Sequence, residues 1–261
     1  MNLGVSIMPI VVDVNEAQKG RVPVDVEDYT QTSKDDDKYY ATMYIGAPTD
    51  TAADDIKTKS GDKSLPQAYL VEQPAHATVP AHFHATNQFQ VFVAGSTGFG
   101  KAKLKPLSVH YAGGYTPYGP IVTEDEGVHF FTLRQKWDSG GKTMPEMRHL
   151  LKSVRRCFRM AEDVTATAVA GGRSDVLPCE DDGLGIALFS LDPGQNEILD
   201  LPQPGGGQYA LITDGSVNHQ GIDLAMHSCL YRFSKEAPLS VKAGDDGATI
   251  MLLQFPTLDE L

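Results

Sequence analysis

The chain repeats itself. Asn87-Gln88-Phe89-Gln90-Val91-Phe92-Val93-Ala94-Gly95 is paralleled by Gly207-Gln208-Tyr209-Ala210-Leu211-Ile212-Thr213-Asp214-Gly215, with the same interval from glutamine to glycine. Farther on, Pro106-Leu107-Ser108-Val109 finds a counterpart in Pro238-Leu239-Ser240-Val241. Gly127-Val128-His129-Phe130-Phe131-Thr132-Leu133-Arg134 finds one in Gly247-Ala248-Thr249-Ile250-Met251-Leu252-Leu253-Gln254. Three landmarks in one order argue for two copies of one unit. A chain of 261 residues holds two such units, each large enough for its own core. Short apolar runs punctuated by 25 Gly and 16 Pro read as strands and turns, so each copy is a β unit.

The chemistry concentrates in Val79 to Gly95, which holds His82, His84, Gln88 and Gln90. Side chains alternate faces along a strand, so His82 and His84 point one way and Phe83 the other. On the following strand Gln88, Gln90 and Phe92 share a face. A polar lumen that could hold a metal ion follows.

This segment resembles the first conserved motif of the cupin superfamily: His-x-His, three or four residues, Glu, six residues, Gly. Gln88 stands where the family has glutamate. The resemblance implies an all-β chain of tandem double-stranded β-helix barrels of jelly-roll type. It also implies a divalent transition metal (Fe, Mn, Ni or Zn) held by His82, His84 and Gln88. Gln88 is neutral, so such an ion would carry one more unit of uncompensated charge than in a standard site. Pro202 and Pro204 fall on the places of His82 and His84 in the second copy, which is expected to be degenerate and metal-free.

The family's third histidine has no direct counterpart. Tyr118 falls closest to its place, as a phenolate ligand or a hydrogen-bond partner of substrate. His110, His129 or water are the alternatives. Tyr118 and Gln90 are the candidate catalytic residues, with Gln90 supporting the ion or contacting substrate. His129 shares a face with Phe131 and Leu133 and reads as a packed core residue. His110 aligns with Lys242, which suggests an outward position. His76 lies at the strand entrance, and Glu124, Asp125 or Glu126 would serve as a base if their loop covered the mouth. His149, His219 and His227 read as surface or capping residues.

The expected organisation is an N-terminal extension at 1–64 that adds strands to the barrels, a first barrel at 65–135, a linker at 136–182 and a degenerate second barrel at 183–256. The extension carries β-like runs at Val5 to Val14 and Tyr39 to Ile45, an acidic patch Asp35-Asp36-Asp37 and a polar loop through Asp54, Lys57, Lys59 and Lys63. In the linker, Met147, Leu150, Leu151, Val154 and Phe158 recur at helical spacing, predicting a helix at about 145–160. Arg148, Lys152, Arg155, Arg156 and Arg159 are read as a solvated basic face. A short strand is expected at Val164 to Ala170.

A net charge of −12 disfavours nucleic acid as partner. No apolar stretch approaches the length that spans a bilayer. Three cysteines without metal-type spacing fit a reducing compartment, so a cytoplasmic protein is expected. No nucleophile elbow or phosphate loop competes, and Gly205-Gly206-Gly207 reads as a turn. A metal-dependent oxygenase on a small oxygenated or aromatic substrate is the expected function. A non-catalytic small-molecule-binding barrel and a metal-free sugar isomerase or epimerase with a His/Tyr acid/base pair are the alternatives. Open sheet edges suggest a homodimer.

Overall fold

The computed structural model describes residues 8–24, 39–50 and 61–257. Asp35 to Asp37, Asp54, Lys57 and Lys59 lie outside the described residues, as does the start of the Val5 to Val14 run. The chain divides into two compact units, one of residues 17–163 and one of residues 1–16 with 164–261.

In the 17–163 unit one antiparallel sheet runs in the order Phe158–Ala161, Val109–Ala112, Gln88–Phe99, Ile121–Arg134, Gln67–Gln73, Tyr39–Ile45, Val22–Val24. Thr78–Val79 and Ala102–Leu104 pair onto its long strands, and His82–Phe83 pairs with Lys142–Thr143. Alternation places Val71, Phe92, Phe99, Leu104, Ala112, Ile121, Val128 and Phe130 in one buried cluster.

The other unit repeats the central ladder as Ile10–Val12, Cys229–Arg232, Gln208–His219, Leu239–Gln254, Gly185–Leu191, Gly172–Leu177. The registers match residue for residue: Arg134 faces Gln88 where Gln254 faces Gln208. On the same offset Ile121 corresponds to Val241, so Val79 faces Ile121 where Glu197 faces Val241. Counting on from Glu197 puts Asp200 and Pro202 at the places of His82 and His84, two residues short of the expected Pro202 and Pro204.

One landmark of the repeat is corrected. Val109–Ala112 corresponds to Cys229–Arg232, since these strands pair alike with Gln88–Val91 and Gln208–Leu211. Pro106 to Val109 is therefore not the counterpart of Pro238 to Val241, and His110 matches Leu230 rather than Lys242. Accordingly His110 is fully buried, not outward.

The helix expected at about 145–160 is also corrected. Only a 3₁₀ turn at Arg148–Leu150 forms there, and Phe158–Ala161 pairs as a strand with Val109–Ala112. Met147, Leu150, Val154 and Phe158 are between 39% and 45% exposed. With no apolar surface to bury the stripe, a helix of this length gains too little to form, because helical stability in proteins comes mainly from packing. Similarly Val164–Thr167 is a 3₁₀ turn, and the strand comes later, at Gly172–Leu177.

Candidate functional site

Residues His82 and Tyr118 are a directly opposed pair, each donating its backbone N–H to the other's carbonyl at 3.0 Å. This places their side chains on one side. The His82 Nδ1–H donates to the Pro80 carbonyl at 2.8 Å, which leaves Nε2 bare to accept the Tyr118 hydroxyl at 2.8 Å. Two residues on, His84 turns the same way, its ring centroid 5.3 Å from that of His82. Its Nδ1–H donates to Asp138 Oδ1 at 2.8 Å. Asp138 also accepts from the backbone N–H groups of Ala85 (2.9 Å) and Gly140 (2.8 Å), so its carboxylate is well satisfied.

Among the residues that sequence reasoning missed is Arg134. It ends the strand that carries Val128, Phe130 and Thr132 at alternate positions, and it is 1% exposed. Gln67, Arg134 and Gln88 lie in register across three strands. The guanidinium donates through Nε and Nη2 to Gln88 Oε1, both at 3.1 Å, and through Nη1 to Gln67 Oε1. Nη2 also lies 3.1 and 3.2 Å from the two nitrogens of His84. Gln88 passes the connection on by donating Nε2–H to the Tyr118 oxygen at 2.5 Å. Alternation from Val128 would have placed Arg134 on the inner face.

Charge within this network is balanced. Burial alone would raise the Asp138 pKa, but the His84 hydrogen bond and the nearby Arg134 charge hold it well below the usual carboxylate range. Burial drives His82 down to about 4 and His84 down to about 3, with Arg134 adding to both shifts, so both rings are neutral near pH 7. Burial likewise pushes the Tyr118 hydroxyl up, so it stays protonated.

The inward lone pairs that a metal ion would need are those of His82 Nε2, His84 Nε2 and Gln88 Oε1. Tyr118 and Arg134 already engage all three. A divalent ion beside a guanidinium that cannot lose its proton would meet a repulsion of about 8 kcal/mol at 4 Å in a medium of effective dielectric 20. Among the described residues the carboxylate of this network is Asp138, which sits at His84 Nδ1, away from Nε2. The donor set, as arranged, does not fit a divalent ion. Among the described residues, no three His, Cys, Asp or Glu side chains are grouped to hold a metal.

Other sequence candidates lie apart. Gln90 makes no contact with this network; it faces His110 in register. His129 is half-buried beside a β-bulge, not packed with Phe131 and Leu133. His76 pairs with exposed Asp125 at 3.4 Å, and Glu124 is tied to Lys103 (2.8 Å) and Ser96 (2.5 Å), so neither acid covers the site. His219, expected at the surface, is buried with its Nδ1 2.8 Å from the Ser240 carbonyl oxygen.

No protein-family model and no curated relative matches the sequence. Solved structures do match in fold. A candidate dioxygenase from Nostoc punctiforme superposes with a TM-score of 0.59 at 13% identity, covering 97% of this chain and 85% of that one. Bacterial pirin YhhW from Escherichia coli, in complex with nickel(II), gives 0.57 at 10% identity, with 96% and 100% covered. Oxalate decarboxylase from Bacillus subtilis gives 0.51 at 10% identity, with 90% and 79% covered. These are cupin proteins, and the chain has the cupin fold. In this chain, the interior of one cupin unit carries a buried arginine where sequence resemblance alone suggested a metal ion.

Proposed function

We propose that the 17–163 unit is a metal-independent, small-molecule-binding cupin barrel in which Arg134 supplies the fixed positive charge of its interior. The observation that supports this reading is the buried guanidinium within 3.1 to 3.2 Å of Gln88 Oε1 and both His84 nitrogens. His84 and Tyr118 retain 7% and 6% exposure.

The test is elemental analysis of untagged protein after incubation with iron, manganese, nickel and zinc. Less than about a tenth of an equivalent of each is expected. Arg134→Gln combined with Gln88→Glu should gain divalent-metal binding, since it removes the competing charge and adds a carboxylate. Near-stoichiometric metal in the parent, lost on His82→Ala with His84→Ala, would overturn the proposal and favour the metal-dependent oxygenase.

A second reading is proton-transfer catalysis by His82 and Tyr118, the pair that a metal-free isomerase or epimerase needs. It is favoured by the 2.8 Å hydrogen bond from the Tyr118 hydroxyl to the bare, neutral His82 Nε2. In that chemistry Tyr118 gives a proton to the substrate and His82 Nε2 accepts the return. The proposal keeps a homodimer, because the sheet ends on Val22–Val24 and Phe158–Ala161, and a cytoplasmic location, which three free cysteines suit. Among the described residues, no helix is long and apolar enough to cross a membrane.

A further inference from the structure

At one buried pair the first unit is polar where the other is apolar. Gln90 and His110 face each other in register, and the matching ladder of the other unit places Ala210 opposite Leu230. Ala210 and Leu230 are buried and apolar, so the fold does not require polar groups at these positions. In the 17–163 unit both ring nitrogens of His110 and the Oε1 of Gln90 are nevertheless buried without a hydrogen-bond partner. Each such atom costs about 1 to 3 kcal/mol when nothing replaces water.

The surroundings describe what could replace it. The rings of Phe99, Tyr118 and Phe158 flank the His110 imidazole with centroids at 4.6, 4.8 and 5.2 Å. Phe99 and Tyr118 are buried, whereas Phe158 is 39% exposed and marks the side nearest to solvent. Burial lowers the His110 pKa to about 3, so the ring is neutral, with one N–H and one bare nitrogen. The buried Arg134 and Asp138 charges already balance, which leaves no charge for a ligand to neutralise.

We propose that Gln90 and His110 form a ligand site for a small uncharged hydroxylated ring compound, entered beside Phe158. A hydroxyl is the smallest group that answers both residues: its O–H donates to Gln90 Oε1 while its oxygen accepts the His110 N–H. The carbon ring then lies against Phe99, Tyr118 and Phe158. This rests on the small-molecule-binding reading above; metal content decides the metal-independent part of that reading separately.

The probe is phenol, with benzene as the comparison lacking the hydroxyl, measured by titration calorimetry on the whole protein. Phenol should bind the parent at least about tenfold more tightly than benzene. Gln90→Ala with His110→Leu, which imports the pair of the other unit, should erase that difference while thermal stability is kept or raised. Absence of phenol binding, meaning that water alone serves the pair, would overturn the proposal. So would equal discrimination between phenol and benzene in parent and variant. Should the double variant fail to fold, the parent still decides: phenol must shift the imidazole ¹⁵N resonances of His110, and binding without that shift would sink the assignment.

Discussion

Three buried neutral histidines make the 17–163 unit sensitive to acid. The ordinary histidine pKa is about 6.5 in an unfolded chain, whereas His82 sits at about 4 and His84 and His110 at about 3 in the folded one. Below pH 6.5 the unfolded state therefore takes up protons that the folded state refuses. Stability is fully present above that pH and is lost as pH falls toward the folded values, at up to about 1.4 kcal/mol per pH unit for each histidine. Urea unfolding between pH 7 and 4.5 should show this slope starting near pH 6.5, above the range where ordinary carboxylates titrate. His110→Leu should make it shallower. A flat profile down to pH 5 would contradict the buried neutral assignments. Arg134→Met should cost roughly 3 to 5 kcal/mol in the same assay, because Asp138 and the Gln67 and Gln88 oxygens lose their buried partner. His82, His84, Gln88 and Tyr118 were legible because strand alternation and motif spacing place them together. Arg134 and Asp138 were not, since their partners come from strands distant in sequence and only the register joins them. Gln90, read as an accessory to the ion, lies instead across from His110, a residue that an incorrect repeat alignment had turned outward.

At the scale of the elements, two glycines fix the crossing of long strands. Gly95 has φ +69°, and a Cβ there would collide with the Gly127 carbonyl oxygen; Gly215 has φ +66° and meets the Gly247 carbonyl in the same manner. Backbone rather than flexible side chain is in the way, so relief requires a strand to move. Gly95→Ala should therefore destabilise the 17–163 unit by at least about 2 kcal/mol, combining left-handed strain with the clash. Chemical denaturation would read this, and a loss under 0.5 kcal/mol would show that the bulge is pliable. Such glycines were visible as spaced landmarks in the sequence, and they fix the same kink in both units. The segment from Met147 to Phe158 was misread for the converse reason. Its spacing satisfies a helix, but spacing supplies a stripe and not the surface that the stripe must meet.

For the whole molecule, the two-unit plan followed from the repeated landmarks, but the assignment of the first strand did not. Ile10–Val12 pairs with Cys229–Arg232, filling the slot that Phe158–Ala161 fills beside Val109–Ala112. Three residues of pattern cannot name their partner. The Val14 N–H adds a bond to the Ser228 hydroxyl at 3.0 Å. Deleting residues 1–12 should expose the edge at Cys229–Arg232 and lower the stability of the unit containing 164–261, leaving unfolding of the 17–163 unit unchanged. Hydrogen exchange at Cys229 to Arg232 measures this directly, and unaltered protection there would refute it.

That pairing also has a consequence in time. Val12 meets Cys229 across more than 200 residues of chain, which a ribosome adds in roughly 10 to 40 s at 5 to 20 residues per second. A strand made more than 200 residues before its partner is thus among the last to find its place. Throughout that interval the 17–163 unit can fold as it emerges, while Ile10 to Val12 stays outside any ladder, shielded from wrong partners chiefly by being three residues long. Synthesis slowed between residues 164 and 229 would prolong this waiting state without delaying the first barrel, and a chaperone that captures short apolar strands would be expected to hold the nascent chain near Ile10 to Val12.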